Sequence, residues 1–223
     1  AIFCEQNDSI SKNLYSEYGV KRGLRDEKGQ GVLTGLTNIS DIKAFEYHDG
    51  VKSPCDGELS YRGYNIKDLV TGSKGKRFVF EEGAYLLLFG ELPTDTQLME
   101  FQGRLSDCME LPTNFTRDVI MKAPTSDIMG SMTRSILTLG SYDKEKESLG
   151  IPNVLRQSMQ LIAVFPMLAV YAYHAYCHYE KNESMYIHRP EKDLSIAENF
   201  LRLLRPDTKF TELEARVLDI ALL

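Results

Sequence analysis

The sequence lacks an excess of basic residues, and this bears on its partners. Its 223 residues include 26 Lys and Arg against 32 Asp and Glu, a formal net charge of −6. Proteins that bind nucleic acid usually carry a basic stripe that faces the phosphate backbone. We therefore expect no nucleic-acid partner.

Long apolar runs and targeting signals are also missing. A helix that spans a bilayer needs about 20 consecutive apolar residues, and the longest candidate, residues 161–172, is closer to a core helix in length. The first residues, AIFCEQND, are acidic and polar, unlike an Arg-rich transit peptide or a secretory signal. We expect no membrane partner and a cytoplasmic location.

Cysteine is sparse and never paired in a CxxC motif. The four cysteines, Cys4, Cys55, Cys108 and Cys177, are widely separated along the chain. This usage is typical of a reduced compartment rather than of a disulfide framework or a zinc site. We expect four free thiols.

The common sequence signatures of nucleophilic and phosphate sites are absent as well. No GxSxG, GxxxxGK[ST] or GxGxxG motif follows a predicted strand. The run GVKRGLRDEKGQG, residues 19–31, combines glycines with basic residues but matches no phosphate-binding motif. Clusters of Gly and Asp commonly form turns, so a solvated turn is favoured and an anion contact stays open.

What the sequence does contain is a change of pattern near residue 65. Residues 1–65 read as a loop region, with two or three brief strands between Gly19 and Gly63, and residues 66–223 as helical. The fold class is therefore mainly α, one multi-helical domain with a short N-terminal β-containing region. Capping-box spacing occurs at Thr94/Gln97, Ser195/Glu198 and Thr211/Glu214. Helices are predicted at 78–90, 94–109, 126–141, 151–180, 194–204 and 208–223.

Three local features add expectations. Pro166 lies inside the longest predicted helix, so a kink or break near residues 164–166 is expected, which would divide the helix in two. Leu87 belongs to a continuous apolar run, residues 86–89, and should be buried, so that its replacement by Ala costs about 2–5 kcal/mol. Residues 209–223 form a helical pattern with no C-cap, basic last turn or following Pro, so the chain is expected to be truncated.

The four histidines give little indication of a metal site or a catalytic site. His174 and His178 lie one helical turn apart, with Cys177 between them, a spacing that can hold a metal. A zincin-type site needs a Glu after the first His and a third ligand, so a Tyr-rich helix face is favoured. His48 and His188 stand alone and are expected to be structural. No catalytic, cofactor-binding or metal residue is assigned.

Three long blocks carry a family resemblance. In order, they are GELSYRGYNIKDLV (57–70), FEEGAYLLLFGELPTDTQL (80–98) and DLSIAENFLRLLRPDTKFTELEARVLDIALL (193–223). Together they resemble the N-terminal part of citrate synthase, from about Tyr18 to the end of the chain.

The resemblance implies a mainly α-helical homodimeric enzyme that condenses acetyl-CoA with oxaloacetate and releases citrate and CoA without a metal or cofactor. In that family the catalytic histidines and aspartate follow the helix that matches residues 210–223. No catalytic role therefore passes to His48, His174, His178 or His188, and the piece alone is expected to be inactive. Two alternatives stay open: a 2-methylcitrate synthase-type relative that uses propionyl-CoA, and a non-catalytic short paralogue that acts as an interaction partner.

The family also implies dimerisation through helices of its large domain. The best candidates are residues 128–139 and 155–170, which combine apolar faces with small side chains. A charge at Met132 or Ile162 is expected to weaken association, because it would bury an unpaired carboxylate.

Overall fold

The computed structural model describes residues 2–6 and 10–223. Residues 1 and 7–9 lie outside this part, so the N-terminal stretch on which the absence of a transit peptide rests is only partly described. The chain divides into two compact units, residues 1–38 and 39–223. The first unit contains α1 (Ile2–Gln6), α2 (Asn13–Glu17) and isolated bridges from Arg25 to Arg22 and to Gly31.

The second unit begins with a three-stranded antiparallel sheet. Its strands are β1 (Ser40–His48), β2 (Val51–Tyr61) and β3 (Tyr64–Asn65), in the order β1-β2-β3. The β1–β2 turn is Asp49-Gly50, in which both φ angles are positive, 50° and 81°. An Asp-Gly pair is favoured in such a two-residue turn, because its twist matches that of the flanking strands. The predicted strands are confirmed, but β1 and β2 are longer than the brief strands expected.

Helices follow the sheet, and the predicted fold class is confirmed. All six predicted helices are present within a few residues of their expected bounds. Four short elements, α1, α2, α3 and the π-helical turn, were not predicted. The elements are α3 (Ile66–Thr71), α4 (Val79–Phe89), α5 (Asp95–Asp107), a π-helical turn (Thr116–Ile120), α6 (Ile128–Tyr142), α7 (Ile151–Lys181), α8 (Ile196–Leu204) and α9 (Glu212–Leu222).

The three capping boxes are confirmed at the starts of α5, α8 and α9. In each, the Thr or Ser hydroxyl accepts a hydrogen bond from the backbone N–H three residues on, and the Gln or Glu side chain accepts one from the N-cap N–H. The sheet belongs to the same compact unit as the helices. The division of the chain into residues 1–65 and 66–223 stays a prediction.

Helix α7 runs unbroken through Pro166, so the predicted division of this helix is wrong. Pro166 is buried, and α7 packs against α5, α6 and α8. Packing around the proline offsets the loss of one helical hydrogen bond. By length and composition α7 could cross a bilayer, contrary to the sequence-based expectation. Its central residues instead belong to the protein core.

The core forms around the middle of α7. Its buried side chains come from α5, the π-helical turn, α6, α7 and α8. Those with almost no exposed surface include Leu105, Phe115, Ile120, Val164, Leu168, Val170 and Leu203.

Burial varies from residue to residue along the apolar run in α4. Leu86 is 0% exposed, whereas Leu87 is partly buried. Successive helical residues are about 100° apart around the axis, so two neighbours cannot both face the same surface. Leu87, which was expected to be buried, is only partly buried, and the cost of its replacement stays a prediction.

We predict that Leu86→Ala lowers the free energy of unfolding by about 2–5 kcal/mol, the range for a fully buried leucine. Leu87→Ala removes the same atoms from the next position, so it is the matched control and should cost clearly less. Urea denaturation of the two variants measures the difference. Equal losses would contradict this assignment of the buried face.

Candidate functional site

A cavity of about 610 Å³ lies within the first unit, lined by residues 12–30. Five of its lining side chains are basic and two are acidic. The basic residues are Lys12, Lys21, Arg22, Arg25 and Lys28, and we call this feature the basic cavity.

A tight turn shapes the basic cavity. The Asp26 Oδ1 atom accepts hydrogen bonds from the Lys28 N–H at 3.0 Å and the Gln30 N–H at 2.8 Å. Gly29 has a φ of 77° and donates its N–H to the Asp26 carbonyl. A glycine suits this position, because other residues are strained at positive φ. The Arg25 guanidinium then donates to the Gly29 carbonyl at 2.9 Å.

The acidic side chains of the basic cavity accept hydrogen bonds from the protein, whereas several of its basic side chains form no ion pair within the described residues. The Asp26 carboxylate accepts from the backbone, and the Glu27 Oε1 atom accepts from the Ser16 hydroxyl at 2.8 Å. The Arg22 guanidinium lies over the Tyr15 ring, 5.6 Å from its centre. Within the described residues, Lys12, Lys21 and Lys28 form no ion pair. Uncompensated basic groups attract anions, so the segment interpreted as a solvated turn also encloses a cationic cavity.

A second cluster lies where α4, α8 and α9 meet. Asp219 of α9 accepts hydrogen bonds from the Val79 and Phe80 N–H groups, at 2.9 and 3.0 Å. Glu81 of α4 accepts one from the Ile196 N–H at 2.8 Å. The third carboxylate, Glu198 of α8, accepts from Arg77 at 2.8 Å. We call Glu81, Glu198 and Asp219 the carboxylate joint.

Burial dominates the acid–base behaviour of this joint. It raises the pKa of Glu81 to about 7; the hydrogen bond from the Ile196 N–H acts in the opposite direction, and repulsion by Asp219 adds to the rise. Burial also raises the pKa of Asp219. At Glu198 burial again raises the pKa, but hydrogen bonds from Arg77 and Ser195 outweigh it and leave this pKa below its ordinary value. The sequence patterns did not indicate this cluster, because its members are far apart along the chain.

Three of the histidines bond to backbone carbonyls near helix ends. The pairs are His174 Nε2 with the Leu203 carbonyl at 3.0 Å, His178 Nδ1 with Glu183 at 2.7 Å, and His188 Nε2 with Pro206 at 3.1 Å. A carbonyl only accepts, so each of these ring nitrogens carries the proton. Burial lowers the pKa of His174.

The structure places His174 and His188 against the same tyrosine ring, which no sequence pattern predicted. The Tyr186 ring lies between them, with its centre 5.6 Å from the ring centre of His174 and 5.8 Å from that of His188. His48 is exposed, with its Nε2 3.4 Å from the Glu46 carboxylate. Across residues 2–6 and 10–223, no three His, Cys, Asp or Glu side chains are placed to hold a metal. The absence of a catalytic role for these histidines stays a prediction.

Comparisons with known proteins agree with the resemblance seen in the three sequence blocks. A family model described as "Citrate synthase, C-terminal domain" matches residues 24–223. The citrate synthase of Corynebacterium glutamicum is 30% identical over 149 residues, which cover 66% of this chain and 32% of that protein. The 2-methylcitrate synthase of Shewanella oneidensis is 30% identical over 166 residues, which cover 74% of this chain and 40% of that protein.

The fold is similar to solved structures of the same kind. The citrate synthase of Pyrobaculum aerophilum matches with a TM-score of 0.68 at 25% identity, over 88% of this chain and 46% of that one. The chain thus spans less than half the length of the relatives it matches. Because the family model covers nearly all of the sequence, and the fold agrees, the chain belongs to the citrate synthase family.

Proposed function

We propose that this chain is the scaffold part of an enzyme that condenses acetyl-CoA with oxaloacetate and releases citrate and CoA. The observation that carries the proposal is the family match over residues 24–223. Such a condensation removes a proton from the acetyl methyl group, and the resulting enolate attacks the ketone of oxaloacetate. Water then hydrolyses the thioester bond of this product, which releases citrate and CoA. The condensation needs a positioned base and stabilisation of the enolate charge.

The described histidine and buried carboxylate side chains stabilise the backbone of the fold and are less suited to proton transfer with a substrate. The Nε2 atoms of His174 and His188 and the Nδ1 atom of His178 are engaged by backbone carbonyls. Asp219 and Glu81 hold helix starts. This arrangement supports the sequence-based expectation that the catalytic groups belong to a part of the enzyme outside residues 1–223.

We predict that purified chain 1–223 releases no CoA above the uncatalysed rate when it is mixed with oxaloacetate and acetyl-CoA. The assay follows the free thiol of CoA with a chromogenic disulfide. Oxaloacetate-dependent turnover that persists through further purification would show that residues of this chain catalyse the reaction, and would contradict the proposed scaffold role.

A second candidate substrate is propionyl-CoA. The 2-methylcitrate synthase of Shewanella oneidensis is as similar to this chain, at 30% identity, as the citrate synthase of Corynebacterium glutamicum. A longer protein that contains this chain, assayed with both acyl-CoA compounds, distinguishes the two activities by their kcat/KM ratio.

We further propose that the basic cavity contacts the phosphates of the acyl-CoA. Coenzyme A carries a diphosphate and a 3′-phosphate, and the cavity presents five Lys and Arg side chains. Ammonium and guanidinium groups bind phosphate through charge-assisted hydrogen bonds. A cationic cavity in a chain of net charge −6 is consistent with this role.

We predict that Lys21→Glu weakens the binding of CoA to chain 1–223 at low ionic strength by at least about tenfold, because it replaces an attraction by a repulsion. The measurement is isothermal titration calorimetry. Lys74→Glu makes the same charge change at an exposed site outside the cavity and should leave binding nearly unchanged. If the two variants bind CoA equally well, the basic cavity is not the phosphate contact.

We also propose that the protein is a homodimer, with the outer face of α6 in the interface. Met129 and Leu137 are each 74% exposed on this helix. They lie eight residues apart and share one face, since helical positions repeat about every 3.6 residues. Large exposed apolar side chains on one face commonly mark an interaction site.

The structure changes the choice of test residues. Met132 and Ile162 are partly buried and pack against the protein's own core. A charge at either position would destabilise the fold itself, so weaker association would not identify an interface. Exposed α6 residues avoid this problem.

We predict that Leu137→Glu lowers self-association without a large change in the free energy of unfolding. Analytical ultracentrifugation measures the first quantity and urea denaturation the second. Ser148→Glu adds the same charge at an exposed site beyond the end of α6 and should leave association unchanged. A wild-type monomer at all concentrations, or an oligomer that is indifferent to Leu137→Glu, would contradict this interface.

A cytoplasmic location completes the proposal. All four cysteines carry free thiols, which supports a reduced compartment.

A further inference from the structure

Glu81 combines full burial with an unused oxygen. Its side chain is 0% exposed, and its Oε1 atom accepts the Ile196 N–H. Its Oε2 atom has no hydrogen-bond partner among the described residues. An ionised carboxylate in this position would have a buried oxygen without a donor, which costs more than burying the neutral acid.

The neighbouring charges do not favour ionisation. From α9, Asp219 presents a second carboxylate, and from α8, Glu198 presents a third; both repel a charge on Glu81. The nearby basic groups already have partners: Arg77 binds Glu198, Arg216 donates to the Ser73 and Lys76 carbonyls, and Lys76 lies 3.2 Å from Glu82.

The same carboxyl group links two helices. Through Oε1 it holds the first N–H of α8, and its own helix α4 is in turn held at its start by Asp219 of α9. Added negative charge at Glu81 therefore acts on the contacts of α4 with both α8 and α9.

We propose that the carboxylate joint is a proton-operated latch: neutral Glu81 keeps α4, α8 and α9 together, and loss of its proton to solvent loosens the joint. The inference is independent of the proposed catalytic activity, because it concerns only the packing of the three helices.

The direction of the pH effect follows from linkage. The pKa of Glu81 is raised from 4.5 to about 7 in the folded protein. Between these values the folded state binds more protons than the unfolded state, so the contribution of Glu81 to stability falls as pH rises from about 4.5 to about 7 and is level above that. The full effect on the folding equilibrium corresponds to about 300-fold, since each pKa unit is a factor of ten.

The test compares wild type with Glu81→Gln between pH 4.5 and 8. Gln keeps an oxygen for the Ile196 N–H and cannot ionise. We expect the ratio of the variant's folding constant to that of wild type to rise with pH by up to about 300-fold. Glu110→Gln, at an exposed site, is the matched control and should give a ratio that does not change with pH. Parallel pH profiles for wild type and Glu81→Gln would overturn the proposal.

A second measurement tests the same proposal if the Glu81→Gln variant does not fold. The side-chain carboxyl carbon of Glu81 in the wild-type chain is followed by NMR against pH, together with hydrogen exchange of the Ile196 amide. We expect titration near pH 7 and a loss of protection at Ile196, beyond the intrinsic pH dependence of exchange, over the same range. Titration below pH 5.5, or an Ile196 amide whose protection is independent of Glu81 ionisation, would overturn the latch.

Discussion

The burial of α7 is the constraint on which the rest of the helical unit depends. This helix of 31 residues contributes much of the buried core, and α5, α6 and α8 pack against it. Its apolar residues cannot be covered by its own chain segment, so the other helices must bring their apolar faces to it. The same packing accounts for the continuity of α7 at Pro166, because a break there would separate buried side chains on either side of the proline.

The first backbone N–H groups of the helices in this unit find hydrogen-bond acceptors in two ways. Helices α5, α8 and α9 use local capping boxes, whereas α4 begins after Phe78, which has no side-chain acceptor. Asp219 supplies that acceptor from 140 residues along the chain, and Glu81 reaches Ile196 across 115 residues. Buried N–H groups need partners, and these two carboxylates provide them while they join three helices. As a consequence, carboxylates of like charge lie close together in a buried environment. Their mutual repulsion is smaller when Glu81 is neutral.

The features that bear on function differ between the two units. The basic cavity of residues 12–30 offers positive charge to an anion, and the helical unit offers packing and an exposed apolar face on α6. Three histidines, His174, His178 and His188, bond to backbone carbonyls at the end of α8 and in the segments that follow α7 and α8.

The features that depend on near neighbours could be predicted from the sequence. The six long helices, the three capping boxes and the β region follow from side-chain periodicity and from contacts three residues apart, and the ordered blocks at 57–70, 80–98 and 193–223 identified the family. Three other features became apparent only in the folded protein: Leu86 rather than Leu87 is fully buried, α7 passes through Pro166, and Asp219 repels a charge on Glu81. Each of these depends on which distant segments pack together, because burial and electrostatic repulsion act through space and leave no regular spacing in the chain.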